Sequence, residues 1–235
     1  MQITPMGDSA LIIELGDTIN EATHLRVQAA WRALAAEPMP GVSEAVPAYT
    51  TVTLFYDPSQ AVRAGAPPEA IVSWLSDRVR ERLKDPPKAA KAKARTVEVP
   101  VCYGGESGPD LDRVAAQAKL PAAEVVKRHA KAEYRVHLIG FAPGFPYLGG
   151  LPKELITPRH AKPRMAVPAG SVGIGGEQCG IYPQVTPGGW NLIGRTPLRL
   201  FRPEEDPPVF LQAGDIVKFR PIPPEEFAKL QEVRP

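Results

Sequence analysis

The sequence has little of what marks several common protein classes. Its two cysteines, Cys102 and Cys179, are far apart and outside any CxxC spacing, which argues against a disulfide scaffold and a zinc site. The four histidines show no HExxH or other compact ligand spacing, so we predict no metal. There is no run of about 18 apolar residues that would cross a membrane, and no basic segment followed by an apolar one at the start. We therefore expect a cytoplasmic protein with no membrane partner.

The net charge is small, and the standard nucleotide-binding motifs are absent. A net charge of +2 over 235 residues produces no strong field for attracting nucleic acid, so we predict no nucleic-acid partner. Neither GxxxxGK[ST] nor GxGxxG occurs, which excludes a nucleotide cradle of either standard type. A nucleophile elbow is also excluded, because Ala169 stands at the first position of the GxSxG pattern around Ser171.

The N-terminal part shows alternating strand and helix patterns. Strands are predicted near residues 9–15, near 43–46 and over 51–56, where apolar residues alternate with polar ones. A helix is predicted after a capping box at Thr18–Glu21, and a second one after Pro67. This order predicts an α+β domain over residues 1–84, a ferredoxin-like sandwich with helices on one face of an antiparallel sheet.

The rest of the chain is predicted to form a mainly β domain. Residues 85–95, rich in lysine, alanine and proline, are typical of a linker. A strand over 96–101 and helices over 110–119 and 121–131 begin a domain that extends over residues 96–235. Strands are also predicted at the later runs, 197–201, 209–211 and 215–220.

Glycine and proline are concentrated between residues 140 and 190. This stretch holds 11 glycines and 8 prolines, where average usage gives about 6 of the two together. Glycine permits positive φ and proline restricts φ, so such loops can hold one unusual shape and preorganise a site. The groups near them suit a small anionic ligand. The candidates for catalysis are His137, Arg164 and Arg195, those for substrate binding are Gln178, Tyr182, Trp190 and Asn191, and those for a partner interface are Phe141, Phe145 and Tyr147.

A purely structural role is the alternative for each of these candidates. His137 follows a strand-like run and would also suit a hydrogen-bonded core position. Arg195 precedes a predicted strand and would form a salt bridge as readily as it would bind a carboxylate. The aromatic residues could fill a barrel interior, since such side chains usually anchor cores and contacts.

Motifs from His137 to Thr196 resemble the signature region of the family that comprises the B subunit of 5-oxoprolinase, also called the allophanate hydrolase subunit 1 or kinase-A-inhibitor (KipI) family. These motifs are GFAPGFPYLGGLP, a Pro-Arg pair, VPAGSVGI, GIYP and TPGGWNLIGRTP. Two positions depart from the family pattern, with Cys179 where threonine is expected and Thr186 where serine is usual. If the expected threonine hydroxyl contacts substrate, Cys179 would alter specificity.

The resemblance implies a fold, an activity and partners. It implies a C-terminal barrel similar to cyclophilin, and a role as the B component of an ATP-dependent 5-oxoprolinase that opens 5-oxoproline to L-glutamate with subunits A and C. The chain would be inactive alone, with ATP bound in or shared with a partner. Arg164 and Arg195 would then hold anionic groups while His137 transfers a proton.

Two other functions fit the same resemblance. Some similar proteins are described as inhibitors of a sensor histidine kinase, and the aromatic residues Phe141, Phe145 and Tyr147 would then form the barrel surface that binds the kinase. Others are partner subunits in urea or allophanate metabolism. The sequence does not separate these alternatives.

Overall fold

The computed structural model describes residues 1–84 and 94–232. The chain divides into two compact units, Met1–Lys93 and Ala94–Pro235. The linker predicted for residues 85–95 lies outside the described residues, apart from its last two. No helix in the described ranges is long and apolar enough to cross a membrane.

Unit 1 is a four-stranded antiparallel sheet with three helices. The strands lie in the order β1-β2-β4-β3, and leucine, isoleucine and valine side chains from the sheet and helices form one buried core. Mixed α and β content was predicted and is confirmed. The elements are β1 (Gln2–Pro5), β2 (Ala10–Glu14), α1 (Glu21–Ala35), β3 (Val42–Pro47), β4 (Thr51–Tyr56), α2 (Pro58–Arg63) and α3 (Ile71–Arg82).

The start of α1 differs from its prediction. The residue that caps the helix is Asn20, whose side-chain oxygen accepts a hydrogen bond from the Thr23 N–H at 2.9 Å. The predicted capping box at Thr18 is therefore wrong. Asparagine and threonine are both good caps, and the one that adjoins the first helical residue satisfies the free N–H.

Unit 2 is a closed seven-stranded barrel with helices outside it. The strands follow the order β10-β7-β6-β13-β5-β12-β9, and only β13 and β5 pair in parallel. A separate two-stranded ribbon joins β8 to β11. The elements are β5 (Thr96–Tyr103), α4 (Leu111–Ala118), α5 (Ala122–Lys131), β6 (Glu133–Ile139), β7 (Pro146–Gly149), a 3₁₀ turn (Lys153–Leu155), β8 (Arg164–Val167), β9 (Ser171–Gly175), β10 (Gln178–Ile181), β11 (Thr186–Gly188), β12 (Asn191–Arg195), β13 (Ile216–Pro221) and α6 (Pro224–Glu232).

Two of the strands predicted late in the chain do not form. Residues 197–201 and 209–211 share only a single bridge, between Phe201 and Val209. Prolines at 197, 203, 207 and 208 interrupt this segment, and proline has no N–H to donate to a sheet. The third predicted strand is present as β13.

A buried polar chain crosses the barrel core. His129 on α5 is fully buried, its Nδ1 lies 2.8 Å from the Tyr103 hydroxyl, and its Nε2 lies 3.4 Å from Cys179 Sγ. Burial lowers the pKa of His129 from 6.5 to about 3 and raises the pKa of the Cys179 thiol. Both groups are therefore uncharged parts of the core at neutral pH.

We predict that His129 makes the fold sensitive to mild acid. Between pH 6.5 and about 3 the unfolded chain binds a proton on His129 that the folded chain does not bind, so stability is lost as the pH falls through this range. The contribution has a slope of about 1.4 kcal/mol per pH unit. Urea unfolding at several pH values should show this slope reduced in His129→Gln relative to wild type. Equal slopes would contradict the assignment.

Candidate functional site

An aromatic pocket of about 320 Å³ opens on one side of the barrel. At its centre Phe145 packs edge-on against Tyr182 and Trp190, with ring centroids 5.2 and 5.5 Å away. Edge-to-face packing of this kind holds aromatic side chains in fixed orientations. The lining residues are Phe141, Phe145, Tyr147, Arg159, His160, Pro163, Tyr182, Pro187, Gly188, Gly189 and Trp190.

Glycines in the barrel strands make room for these rings. A Cβ atom added at Gly175 would lie 2.5 Å from Trp190 Nε1, and one added at Gly180 would lie 2.8 Å from Phe145 Cζ. Both distances are shorter than van der Waals contact, so any larger residue would displace a ring. The glycine-rich sequence thus shapes the pocket by leaving space as well as by forming turns.

The loop that carries Phe141 has unusual backbone geometry. Phe141 has a φ of 69°, in the left-handed region that bulky residues rarely adopt, and its side chain is 64% exposed. Hydrogen bonds on either side restrain the loop, from Ala142 N–H to the Gly140 carbonyl and from Phe145 N–H to the Ala142 carbonyl. The loop therefore presents one aromatic ring to solvent at the mouth of the pocket.

A buried carboxylate, Asp110, contacts residues in and next to the pocket lining. Its Oδ1 accepts a hydrogen bond from Arg164 Nη2 at 2.7 Å, and its Oδ2 accepts one from the Leu192 N–H at 2.7 Å. Burial alone would raise the pKa of Asp110, but the hydrogen bonds from Arg164 and Leu192 outweigh burial and hold it below its ordinary value. Asp110 thereby joins the start of α4 to β8 and β12.

His160 extends this network to the pocket surface. Its Nδ1 lies 2.6 Å from Arg113 Nη1, and a guanidinium only donates hydrogen bonds, so Nδ1 is the acceptor and the proton is on Nε2. Nε2 lies 3.3 Å from Asp110 Oδ1, within range of electrostatic attraction although the angle is poor for a hydrogen bond. The His160 N–H also donates to the Gly189 carbonyl at 2.7 Å. His160 is thus held in one orientation at the pocket wall.

Only some of the predicted site residues line this pocket. Tyr182, Trp190, Phe141, Phe145 and Tyr147 do. Asn191 is fully buried, and its side-chain N–H groups donate to the Pro158 and Ile174 carbonyls at 3.1 and 2.9 Å. Gln178 lies half-buried on β10 and does not line the pocket.

The three predicted catalytic residues lie outside the pocket lining. His137 is 8% exposed and its ring covers Gly149 on the neighbouring strand, while burial and the nearby Arg135 lower its pKa. Arg164 is bound to Asp110, and Arg195 lines a second pocket. The catalytic roles of these residues remain predictions.

The two departures from the family pattern also lie away from the pocket lining. Cys179 is fully buried in the barrel core against His129, and Thr186 lies on β11. A ligand in the aromatic pocket would therefore not contact the Cys179 thiol. Cys179 is part of the buried polar chain of the core.

Sequence reasoning missed Asp110, Arg113 and the place of His160 between them. Asp110 and Arg113 lie at the start of α4, where their sequence context is that of ordinary helix-start and solvent-facing residues. Their partners are about 50 positions further along the chain. Among residues 1–84 and 94–232, no group of three or more His, Cys, Asp or Glu side chains is arranged to hold a metal.

We predict that Asp110→Asn destabilises the protein by about 1 to 3 kcal/mol, because a charge-assisted hydrogen bond to Arg164 is lost in a buried site. The lowered pKa of Asp110 stabilises the folded protein at pH values above 3.8, the ordinary pKa of the group. This stabilisation is lost as the pH falls through the lower pKa of the folded state. Urea unfolding at pH 7 is the measurement. Asp77→Asn, which breaks an exposed pair with Arg80, is the control and should cost at most about 0.5 kcal/mol. Equal effects of the two changes would contradict the role of Asp110.

A second prediction concerns the wall that Gly188 forms. A Cβ at Gly188 would lie 2.8 Å from Tyr182 Cε1, whereas one at Gly189 would lie no closer than 3.4 Å to any atom. Gly188→Ala should therefore displace Tyr182, change the near-ultraviolet circular dichroism and cost about 1 to 3 kcal/mol in thermal or urea unfolding. Gly189→Ala is the matched control and should leave the spectrum unchanged. An unchanged spectrum for both variants would mean that Tyr182 is not confined.

Comparison with known proteins identifies the family. The model of the family described as carboxyltransferase domain, subdomain C and D, matches residues 1–211. The chain is 47% identical to the B subunit of 5-oxoprolinase from Bacillus subtilis, covering 98% of this chain and 97% of the relative. It is 44% identical to the B subunit of 5-oxoprolinase from Escherichia coli O157:H7, covering 92% and 94%.

Solved structures agree with this result. TTHA0988 superposes with a TM-score of 0.76 and 36% identity over 91% of this chain and 40% of that chain, and PH0987 from Pyrococcus horikoshii with 0.56 and 43% over 96% and 100%. The Kluyveromyces lactis urea carboxylase has a TM-score of 0.77 at 20% identity over 98% of this chain and 22% of that chain, which shows a shared fold. The resemblance predicted from the motifs is confirmed. This chain belongs to the carboxyltransferase domain, subdomain C and D, family, and within it to the group formed by the B subunits of 5-oxoprolinase.

Proposed function

We propose that this chain is the B subunit of an ATP-dependent 5-oxoprolinase, which opens 5-oxoproline to L-glutamate together with subunits A and C. The observation that carries the proposal is the alignment with two proteins named as the B subunit of 5-oxoprolinase, along 98% and 92% of this chain. Alignment over nearly the full length extends to the pocket as well as to the core. The chain would be a component of a hydrolase that is inactive by itself.

The aromatic pocket suits the chemistry of 5-oxoproline. That substrate is a small ring with an amide and a carboxylate, and the pocket offers aromatic faces together with one cation. Arg159 lies at the mouth, its Cζ 5.5 Å from the Trp190 ring centroid, and it forms no ion pair with any residue in the described ranges. A free guanidinium beside apolar rings is the arrangement that binds a carboxylate on a small apolar body.

We assign proton transfer to neither His160 nor His137. His160 lines the pocket, but its Nδ1 lies 2.6 Å from Arg113 Nη1, and its Nε2 is buried 3.3 Å from Asp110 Oδ1. A general acid or base must come within hydrogen-bond reach of the reacting atom, and His137 lies outside the lining. Arg164 would then act as a positioning residue, because its partner is Asp110.

ATP fits the pocket poorly. A triphosphate needs several cations or a loop of N–H groups, and the described pocket contributes one arginine beside mostly apolar walls. The sequence also lacks both standard phosphate-binding motifs. We therefore assign ATP to a partner subunit or to a site shared with one, and we derive no step of the reaction through ATP in this chain.

The surface around the pocket suits a partner subunit. Phe141, Met165 and Val185 are 64%, 86% and 65% exposed, although all three are large apolar residues. Phe145 is 2% exposed and supports the rings from below, so Phe141 is the better candidate for an interface anchor. A kinase inhibitor would use the same surface, and reconstitution of the enzyme separates the two functions.

We also propose finer descriptions of the two folds. Unit 1 would be a variant of the ferredoxin-like sandwich. In the usual fold the last strand lies at the sheet edge beside the first strand of the repeat, whereas here the N-terminal strand β1 lies at that edge, beside β2. The sheet order β1-β2-β4-β3 supports this. The barrel of unit 2 would be cyclophilin-like, as the family resemblance implies, and its closed sheet with outer helices is consistent with that.

Reconstitution tests the function. ATP-dependent release of L-glutamate from 5-oxoproline should require this chain together with subunits A and C, with no activity from this chain alone or from A and C alone. In the complete mixture Arg159→Gln should raise KM by about 10- to 100-fold, equivalent to about 1.4 to 2.8 kcal/mol. Lys162→Gln, an exposed cation in the same loop, is the matched control and should change KM less than about twofold. Absence of activity in a well-folded complete complex would reject the proposal.

A further inference from the structure

A second pocket, of about 600 Å³, lies where β5 and β12 end, beside helix α6. It shares no lining residue with the aromatic pocket. Two oppositely charged side chains, Arg195 and Glu106, line it together with Ser107 and Gln231. The proposed site for 5-oxoproline is the aromatic pocket, so this second pocket is a separate site.

Arg195 is held in place but its charge is not neutralised. Its Nε donates a hydrogen bond to the Ala169 carbonyl at 2.8 Å, and its Cζ lies 5.9 Å from the Phe227 ring centroid. In the described parts of the chain, its two terminal nitrogens form no hydrogen bond and have no carboxylate oxygen within 4.0 Å. A half-buried guanidinium that is oriented through Nε alone leaves a forked pair of N–H donors for a carboxylate.

The loop of residues 104–107 also lines this pocket and adds polar groups that are not hydrogen-bonded within the described residues. Gly104 and Gly105 have φ values of 71° and 51°, a tight turn that only glycine adopts readily. The N–H groups of Gly105, Glu106 and Ser107 donate no hydrogen bond to any described residue, and the Glu106 carboxylate has no ion-pair partner there. The pocket therefore combines an unpaired cation, an unpaired anion and neutral donors.

This charge pattern matches a ligand that carries both charges itself. We propose that the pocket is a binding site for a free amino acid, with the α-carboxylate on the terminal nitrogens of Arg195 and the ammonium group on Glu106. A phosphate would meet one cation and one repelling carboxylate, whereas a zwitterion would pair with both side chains. The site depends on this chain alone and does not rest on the proposed oxoprolinase function.

Binding measurements on the full chain test the site with L-glutamate as the probe. Isothermal titration should detect L-glutamate, and should show binding at least about tenfold weaker for 5-oxoproline and glutarate, which have carboxylates but no ammonium group. Arg195→Gln should weaken L-glutamate binding at least about tenfold. Glu106→Gln should weaken L-glutamate binding and strengthen that of glutarate, because the change removes a carboxylate that repels an anion. Lys229→Gln, an exposed cation on the same helix as Phe227, is the control and should have no effect.

A measurement on the wild-type chain covers the case in which a variant fails to fold. Addition of L-glutamate should shift the amide resonances of residues 104–107 and the Arg195 Nε–H resonance in a nitrogen-15 correlation spectrum. No binding at millimolar L-glutamate, or shifts confined to the aromatic pocket, would overturn the proposal. Binding of glutarate or inorganic phosphate as tightly as L-glutamate would also overturn it, since the pocket would then recognise simple anions. These outcomes do not depend on ATP or on subunits A and C, so they are separate from a failure of the oxoprolinase assay.

Discussion

The hydrogen bonds to the buried carboxylate of Asp110 hold the candidate site together. One oxygen binds Arg164 on β8 and attracts His160, and the other accepts the backbone N–H of Leu192 on β12. These contacts join the start of α4 and strand β12 to strand β8 and to the loop before β8, which contains Arg159. A carboxylate buried without such partners would be very costly, so these elements and the charge stabilise one another.

The second constraint is space beside the aromatic rings. Trp190 and Phe145 can lie where they do because Gly175 and Gly180 carry no side chains, and Gly188 leaves room for the Tyr182 ring. The rings in turn form the walls of a pocket that one cation, Arg159, completes. The hydrogen bonds of Asp110 and the space left by the glycines therefore shape the same pocket. The proposed binding of a small polar substrate depends on this combination of fixed walls and one cation.

Local patterns were sufficient to predict much of the fold. Alternation of apolar residues predicted β4 at its observed bounds, and the helix predicted after Pro67 is present as α3. The residues that line the aromatic pocket all lie between 140 and 190, the stretch of high glycine and proline density. The pairing of Asp110 with Arg164 and of His129 with Cys179 was not predictable, because each depends on barrel closure between residues 54 and 50 positions apart. The failed strands at 197–201 and 209–211 show that an apolar run is insufficient where prolines remove backbone donors.

Binding of 5-oxoproline in the aromatic pocket of this subunit is the central claim. A structure of the assembled complex with subunits A and C and bound 5-oxoproline would test it directly. We expect the substrate ring against Trp190 and Tyr182, its carboxylate on Arg159, and Phe141 covered by a partner subunit. Substrate bound elsewhere, with the aromatic pocket facing solvent, would contradict the claim.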